Sequence, residues 1–309
     1  MKSKKLFLKY LGRYCVIFAI VLVSSLLLVV RAYQITGRNV MEENTWKLRS
    51  GVDNLENHFV RMSSMAETLR QASSLNYLKG VEGSLENQEY VYLNYLEEQL
   101  KNISILYDFA AMEFMLFASN DCFISNTQVS DSFSGYYGNF FRYEDRSADE
   151  FKELIFGQSQ KLTLLPCQEL KYNRYGILTE AKNPMLCVIR PSIGGQTSLV
   201  DESVAIVFVV EQDKILDLIF GKDAGDGTSI RLFDADGNTV FGWGTAWEEA
   251  ESQAAGPENG GWRTVAYEGQ EGVLSASAGF SRESVQKYIL ELVGMLILYC
   301  LLYTSDYNR

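Results

Sequence analysis

YCVIFAIVLVSSLLLVV, residues Tyr14 to Val30, is an uncharged apolar run closed by Arg13 on one side and Arg31 on the other. A helix rises about 1.5 Å per residue, so this run is at the short end of what crosses a hydrocarbon core about 30 Å thick, with both arginines able to reach the interface. It reads as a transmembrane helix over 14–31, and that reading decides where everything else folds. Lys2, Lys4, Lys5, Lys9 and Arg13 precede it, whereas Glu42 and Glu43 follow soon after Arg38. The positive-inside bias therefore makes 1–13 a cytoplasmic tail and puts residues from about 34 to 285 outside the cell membrane. A cleaved signal peptide has the same grammar, but the run exceeds the roughly 7–15 residues of such a core, and no small-x-small cleavage site follows.

A second apolar run, YILELVGMLILYCLLY from Tyr288, carries one charge near its start, Glu291. It reads as a returning transmembrane helix over 286–302, giving a two-pass protein. Cys300 to Ser305 can be encoded by TGT CTC TTA TAC ACA TCT, which resembles a transposon adapter used in preparing DNA libraries. Residues 300–309 are accordingly expected to be a non-native tail on a truncated fragment.

Between the spans lie roughly 250 residues, enough for one large or two small globular units. The net charge of −11 belongs almost wholly to this outer part and argues against nucleic acid or anionic lipid as its ligand. Of the five cysteines, Cys122, Cys167 and Cys187 lie outside the spans and the suspect tail. Cys167 and Cys187 could pair across a hairpin-like region or remain buried thiols. The single histidine, His58, sits in a helical pattern as a solvated residue, and no metal-ligand spacing accompanies it.

Apolar or small residues recur at steps of four and three from Leu48 through Val52, Leu55, Phe59, Met62, Ala66 and Leu69 to Ser73. That is a heptad seam on a stem helix over 34–79, which packs either on the chain's own domain or on its copy in a homodimer. The period then changes. AMEFMLFA (Ala111 to Ala118), Ser119-Asn120-Asp121 and CFISN predict a strand, tight turn and strand. FSGYYGNFFRY, Phe133 to Tyr143, suits either a ligand-facing loop or a set of rings covering the sheet. A helix is predicted at Ala148 to Phe156, strands at Met185 to Ile193 and Glu202 to Val210, and a linking helix at Gln212 to Phe220. Arg190 needs a partner in its own fold or in a pocket. Asp234 to Asn238 reads as a hairpin turn, because a calcium loop would need a closing glutamate that is absent.

A basic tail, one span, a long stem, a larger hairpin-containing module, a smaller one and a second span together resemble the double Cache, PAS-like sensor domains of bacterial transmembrane receptors. The fold class this implies is α+β. A membrane-distal module of antiparallel strands would occupy 80–221, and a membrane-proximal one 222–285. The resemblance is closest to sensors that precede AraC-type regulators or sensor histidine kinases, and it implies binding of an extracellular small molecule in the distal module. One subfamily holds amino acids through an Arg-x-Trp pair, but here no tryptophan lies between Trp46 and Trp243. Candidate ligand-binding residues therefore come from composition and position alone: Tyr137, Phe141, Arg142, Tyr172, Arg174 and Arg190. The single histidine on the stem and the absence of a nucleophile elbow or phosphate loop point away from an enzyme. No cofactor is implied. The partners expected are the small molecule, the lipid bilayer and a second copy through the stem helix; a membrane-anchored adhesion scaffold is the competing class.

Overall fold

The structure, a computed structural model, describes the backbone of residues 2–83, 85, 88–174, 177–192, 200–221, 228–244 and 262–281. Few side chains before residue 41 belong to the described set, and those of residues 174, 262–264, 280 and 281 lie outside it. Helix α1 runs without interruption from Lys2 to Arg70 and takes in both the apolar run and the stem. Among the described residues no helix is long and apolar enough to cross a membrane. Most side chains of 14–31 and the whole of 286–302 fall outside those residues.

Past α1 come α2 (Ser73–Leu78) and α3 (Glu89–Leu106), then strands β1 (Met112–Phe117), β2 (Phe123–Ser125) and β3 (Val129–Ser130). The short α4 (Phe133–Tyr136), β4 (Phe141–Tyr143) and α5 (Ala148–Phe156) follow, then β5 (Leu162–Pro166), β6 (Glu169–Arg174), β7 (Ile177–Lys182), β8 (Met185–Ile189) and β9 (Val204–Val210). Helix α6 (Gln212–Phe220) leads to β10 (Thr228–Phe233), β11 (Thr239–Trp243), β12 (Trp262–Glu268) and β13 (Ser275–Ser281). All strand pairing in the three sheets is antiparallel. The orders are β3-β2-β1-β9-β8-β5, β11-β10-β13-β12 and β4-β6-β7. The protein is thus a mixed α+β fold, as its strand and helix patterns predict.

The hairpin read at Ala111 to Asn126 is present, with Phe114 opposite Ser125. Ser147 and Glu150 form a reciprocal capping box that starts α5 where its sequence pattern begins. At Asp234 to Asn238 the turn closes on itself: the Asp234 carboxylate accepts the backbone N–H groups of Asp236 and Asn238. Gly237 supplies the positive φ of 83° that this turn needs. Residues 193–199, between β8 and β9, and 245–261, between β11 and β12, lie outside the described residues.

Two cores sandwich the six-stranded sheet. Its stem face packs with α1, α2, α3 and α6, and the same cluster continues into Ile230, Leu232, Val240, Phe241, Ala276 and Ala278 of the four-stranded sheet. Every seam residue from Leu48 to Leu69 is 0–2% exposed within one chain. Along this length the heptad therefore packs on the chain's own domain and is not available to a second copy. Ser73 does not join it: α1 ends at Arg70, and Ser73 opens α2 on an exposed face. The second core fills the opposite face with aromatic rings.

Carboxylates beside the seam fasten α1 to both sheets. Glu56 is fully buried and accepts the backbone N–H groups of Glu271, Val273 and Leu274, each at 2.8 Å. One turn earlier, Asp53 accepts the Tyr267 hydroxyl at 2.8 Å and the Gln270 amide. Both hold the turn between β12 and β13, and a Cβ at Gly269 would lie 2.3 Å from the Glu56 carboxyl carbon. Farther along, Glu67 accepts Ser192 N–H at 2.9 Å and pairs with Lys161 and Arg70. Burial works to raise its pKa, but these donors outweigh it and hold the carboxyl down to about 2.

Gly51 brings α1 against α6: a Cβ there would sit 2.5 Å from the Ile219 backbone. Alanine favours an isolated helix by about 1 kcal/mol over glycine, yet overpacking costs about 1–3 kcal/mol. Gly51→Ala is therefore expected to lower the melting temperature of the full chain, and a rise would contradict the close helix contact.

Candidate functional site

The aromatic stretch Phe133 to Tyr143 folds as α4 and β4 and joins the second core. Phe114, Leu116 and Phe123 rise into this core from β1 and β2, because alternate residues of a strand share a face. Above them lie Phe133, Tyr136, Tyr137, Phe141, Tyr143 and Phe151, with neighbouring ring centroids 4.4–6.5 Å apart. The sheet β4-β6-β7 forms the outer lid of this layer, through Phe141, Leu170, Tyr172 and Ala181. The rings of the stretch cover this face of the sheet.

Three candidate residues meet in this layer. Phe141 is paired with Tyr172 across β4 and β6, and its ring lies 5.8 Å from that of Tyr137. All three are buried. The Tyr137 hydroxyl bonds the backbone of Tyr143, and the Tyr172 hydroxyl donates to Glu211 at 2.6 Å. The other arginines stand elsewhere. Arg142, on the opposite face of β4, is exposed and pairs with Asp145 at 2.9 Å. Arg174 ends β6, and its side chain lies outside the described residues. Arg190, just past β8, is buried; it donates to the carbonyls of Phe156, Gln158 and Asp201 and so ties the end of α5 to the sheet. Its hydrogen-bond partners are backbone carbonyls of the chain's own fold.

The layer also holds polar atoms that pattern reading did not single out. The Tyr136 hydroxyl and Thr163 Oγ1 are buried there without a hydrogen-bond partner among the described residues. Thr163 is opposite Val188, a member of the aromatic core, so it faces the same side. Burial pushes the Tyr136 hydroxyl pKa up to about 12, so it is a neutral donor. A cleft of about 240 Å³ lies beyond, where Glu144, Cys167, Gln168 and Asn183 face Thr239 to Gly242 of β11. Glu144 and Asn183, with φ of 50° and 46°, both line it.

Cys122, Cys167 and Cys187 are all free and buried. Cys187 belongs to the stem-side core and Cys167 to the aromatic one, on opposite faces of the sheet, so the disulfide considered between them is not formed. His58 is not a solvated helix residue: its Nδ1 lies 2.6 Å from the Tyr107 hydroxyl and its ring stacks on Phe109 at 3.9 Å. Among the described residues no cluster of metal-binding side chains occurs.

No family model and no curated protein matches the sequence. Solved structures do resemble the fold. A domain of a sensory box/GGDEF family protein from Vibrio parahaemolyticus superposes with a TM-score of 0.44 at 11% identity, covering 81% of this chain and 99% of its own. The ligand-binding domain of the Pseudomonas aeruginosa amino acid chemoreceptor PctB, in complex with L-Arg, gives 0.45 at 11% identity, over 80% and 95%. The sensory domain of the Campylobacter jejuni chemoreceptor Tlp3, with isoleucine bound, gives 0.42 at 9% identity, over 82% and 97%. These similar structures are described as sensory or ligand-binding domains. Likeness at this level carries no argument about function, which has to be read from this chain's own residues.

Replacing Arg190 would leave buried carbonyls without donors, at about 1–3 kcal/mol for each group. Arg190→Met is expected to destabilise the full chain by about 2–4 kcal/mol in thermal or denaturant unfolding, whereas Arg142→Ala stays within about 0.5 kcal/mol. Equal effects of the two would contradict this division of roles.

Proposed function

We propose that the chain is the extracytoplasmic ligand-sensing part of a membrane signalling receptor, anchored by 14–31 and 286–302, with modules over 80–221 and 222–285. In this reading it is not itself an enzyme. It passes small-molecule binding across the membrane to a cytoplasmic output domain, AraC-type in preference to a histidine kinase. The observation that carries the ligand part is the set of orphaned polar atoms in the aromatic layer. A buried polar group without a partner costs about 1–3 kcal/mol, and a ligand that supplies the partner recovers it. The residues suit a compact molecule with an apolar body, stacked between rings, and polar groups to meet the hydroxyls of Tyr136 and Thr163. Tyr137, Phe141 and Tyr172 would be the walls, and Arg142 would take no part.

The link to the membrane is mechanical. The sheet that carries the aromatic layer on one face rests on α1 with the other. A ligand that parts the rings would bias this packing only by binding one arrangement better than the other.

The first panel to test is aromatic and apolar metabolites, which match the ring walls, followed by amino acids. A ligand at about one hundred times its Kd should stabilise the full chain in detergent by about 2.7 kcal/mol, read as a rise in melting temperature. Tyr136→Phe should weaken that rise while leaving the unliganded protein folded. A panel that produces no shift would overturn the ligand reading and favour the adhesion scaffold.

A further inference from the structure

Glu113 lies in the middle of β1, opposite Phe208 of β9, and is fully buried on the face of the sheet that α3 covers. Its surroundings hold a pattern that an ionised carboxylate does not explain. The Asn126 side-chain amide donates to Glu113 Oε2 at 2.5 Å and to the Ser104 hydroxyl of α3 at 2.9 Å. The other carboxyl oxygen, Oε1, and the Asn126 side-chain oxygen Oδ1 are both buried and both without a partner. An ionised carboxylate brings only acceptors to this pair, and a protonated one brings an O–H donor as well. A proton on Oε1 therefore supplies the donor that two buried, unpartnered acceptors lack.

We propose that Glu113 is a proton-binding site: it carries a proton in the folded protein near neutral pH, and its loss on the alkaline side loosens α3 from the sheet. The site lies on the opposite side of the sheet from the aromatic layer and does not depend on a ligand there. The electrostatics agree with the geometry. Burial raises the Glu113 pKa to about 7, against smaller lowering by the Ser104 hydroxyl and its own backbone N–H. The ionisable groups on the elements around it are few. Tyr107, with its pKa raised chiefly by burial, follows α3, and Cys187, likewise raised, stands on β8. His58 and Arg61 come from α1, and Asp108 from the connection into β1. His58 is pushed below its ordinary value, first by burial, so it adds no positive charge to hold the carboxylate ionised at neutral pH.

The sign follows from the raised value. Above the ordinary glutamate pKa the unfolded chain releases this proton while the folded one keeps it. The contribution to stability is thus full at low pH and falls as pH rises toward about 7, by up to tenfold in the folding constant per pH unit. Beyond that the loss is complete and the profile flattens.

The test uses the full chain in detergent micelles. Difference infrared spectroscopy should show a protonated-carboxyl C=O band that titrates near neutral pH and is absent from Glu113→Gln. That variant mimics the protonated acid, so its melting temperature should exceed that of the wild type at about pH 8 and lack this part of the decline above about pH 5. Ser104→Ala removes a donor to the charged form and should move the midpoint of the band upward, which keeps the test open if Glu113→Gln does not fold. A band unchanged in Glu113→Gln, or a midpoint unmoved in Ser104→Ala, would overturn the proposal.

Discussion

Burial of the α1 seam in a core shared by two sheets is the constraint on which the structure depends. Leu48, Val52, Leu55, Phe59, Met62, Ala66 and Leu69 lie in the same cluster as the inner faces of the six-stranded and four-stranded sheets. Each large apolar side chain buried this way contributes about 1.5–3 kcal/mol. The flanking carboxylates fix where along the helix the contact falls. A slip of one turn would strip the buried Glu56 carboxyl of three backbone donors, a strongly destabilising outcome. Hydrophobic burial thus holds α1 in place, and Asp53, Glu56 and Glu67 set its register.

The six-stranded sheet is the layer between helix and lid. All residues of β1, β8 and β9 are buried, so both faces are committed, and alternate residues of one strand report to different environments. Met112, Phe114 and Leu116 reach the aromatic layer, while Met115 and Phe117 reach the stem. Unpartnered hydroxyl oxygens sit on the first side and the Glu113 carboxyl on the second. A change on either side is felt by the same backbone, and through α1 by the four-stranded sheet.

Elements whose signal is local were legible in the sequence. The seam follows from its heptad spacing, α5 from its capping box, and the Asp234 turn from its asparagine and glycine chemistry. What a seam packs against is not local, and the choice between self and copy needed the fold. The aromatic run is similar: ring composition does not tell a wall facing a ligand from a core facing itself. Tyr137, Phe141 and Tyr172 meet in one layer, whereas strand alternation carries Arg142 to the far face. Glu56, Asp53 and Glu67 look in sequence like a solvated helix face, because their partners are backbone amides and hydroxyls more than a hundred residues away. Glu113 did leave a mark, a lone carboxylate inside MEFMLF, which on a fully buried strand demands an explanation.

The account stands or falls on α1 joining the two sheets into one cooperative body. Native-state hydrogen exchange of the full chain in detergent, followed by mass spectrometry with increasing denaturant, measures this directly. Amides of α1 between Leu48 and Leu69, of β9 and of β10 should open together with one free energy. Exchange of β10 and its neighbours at a much lower free energy than β9, with α1 still protected, would show that the four-stranded sheet is merely appended and would contradict the account.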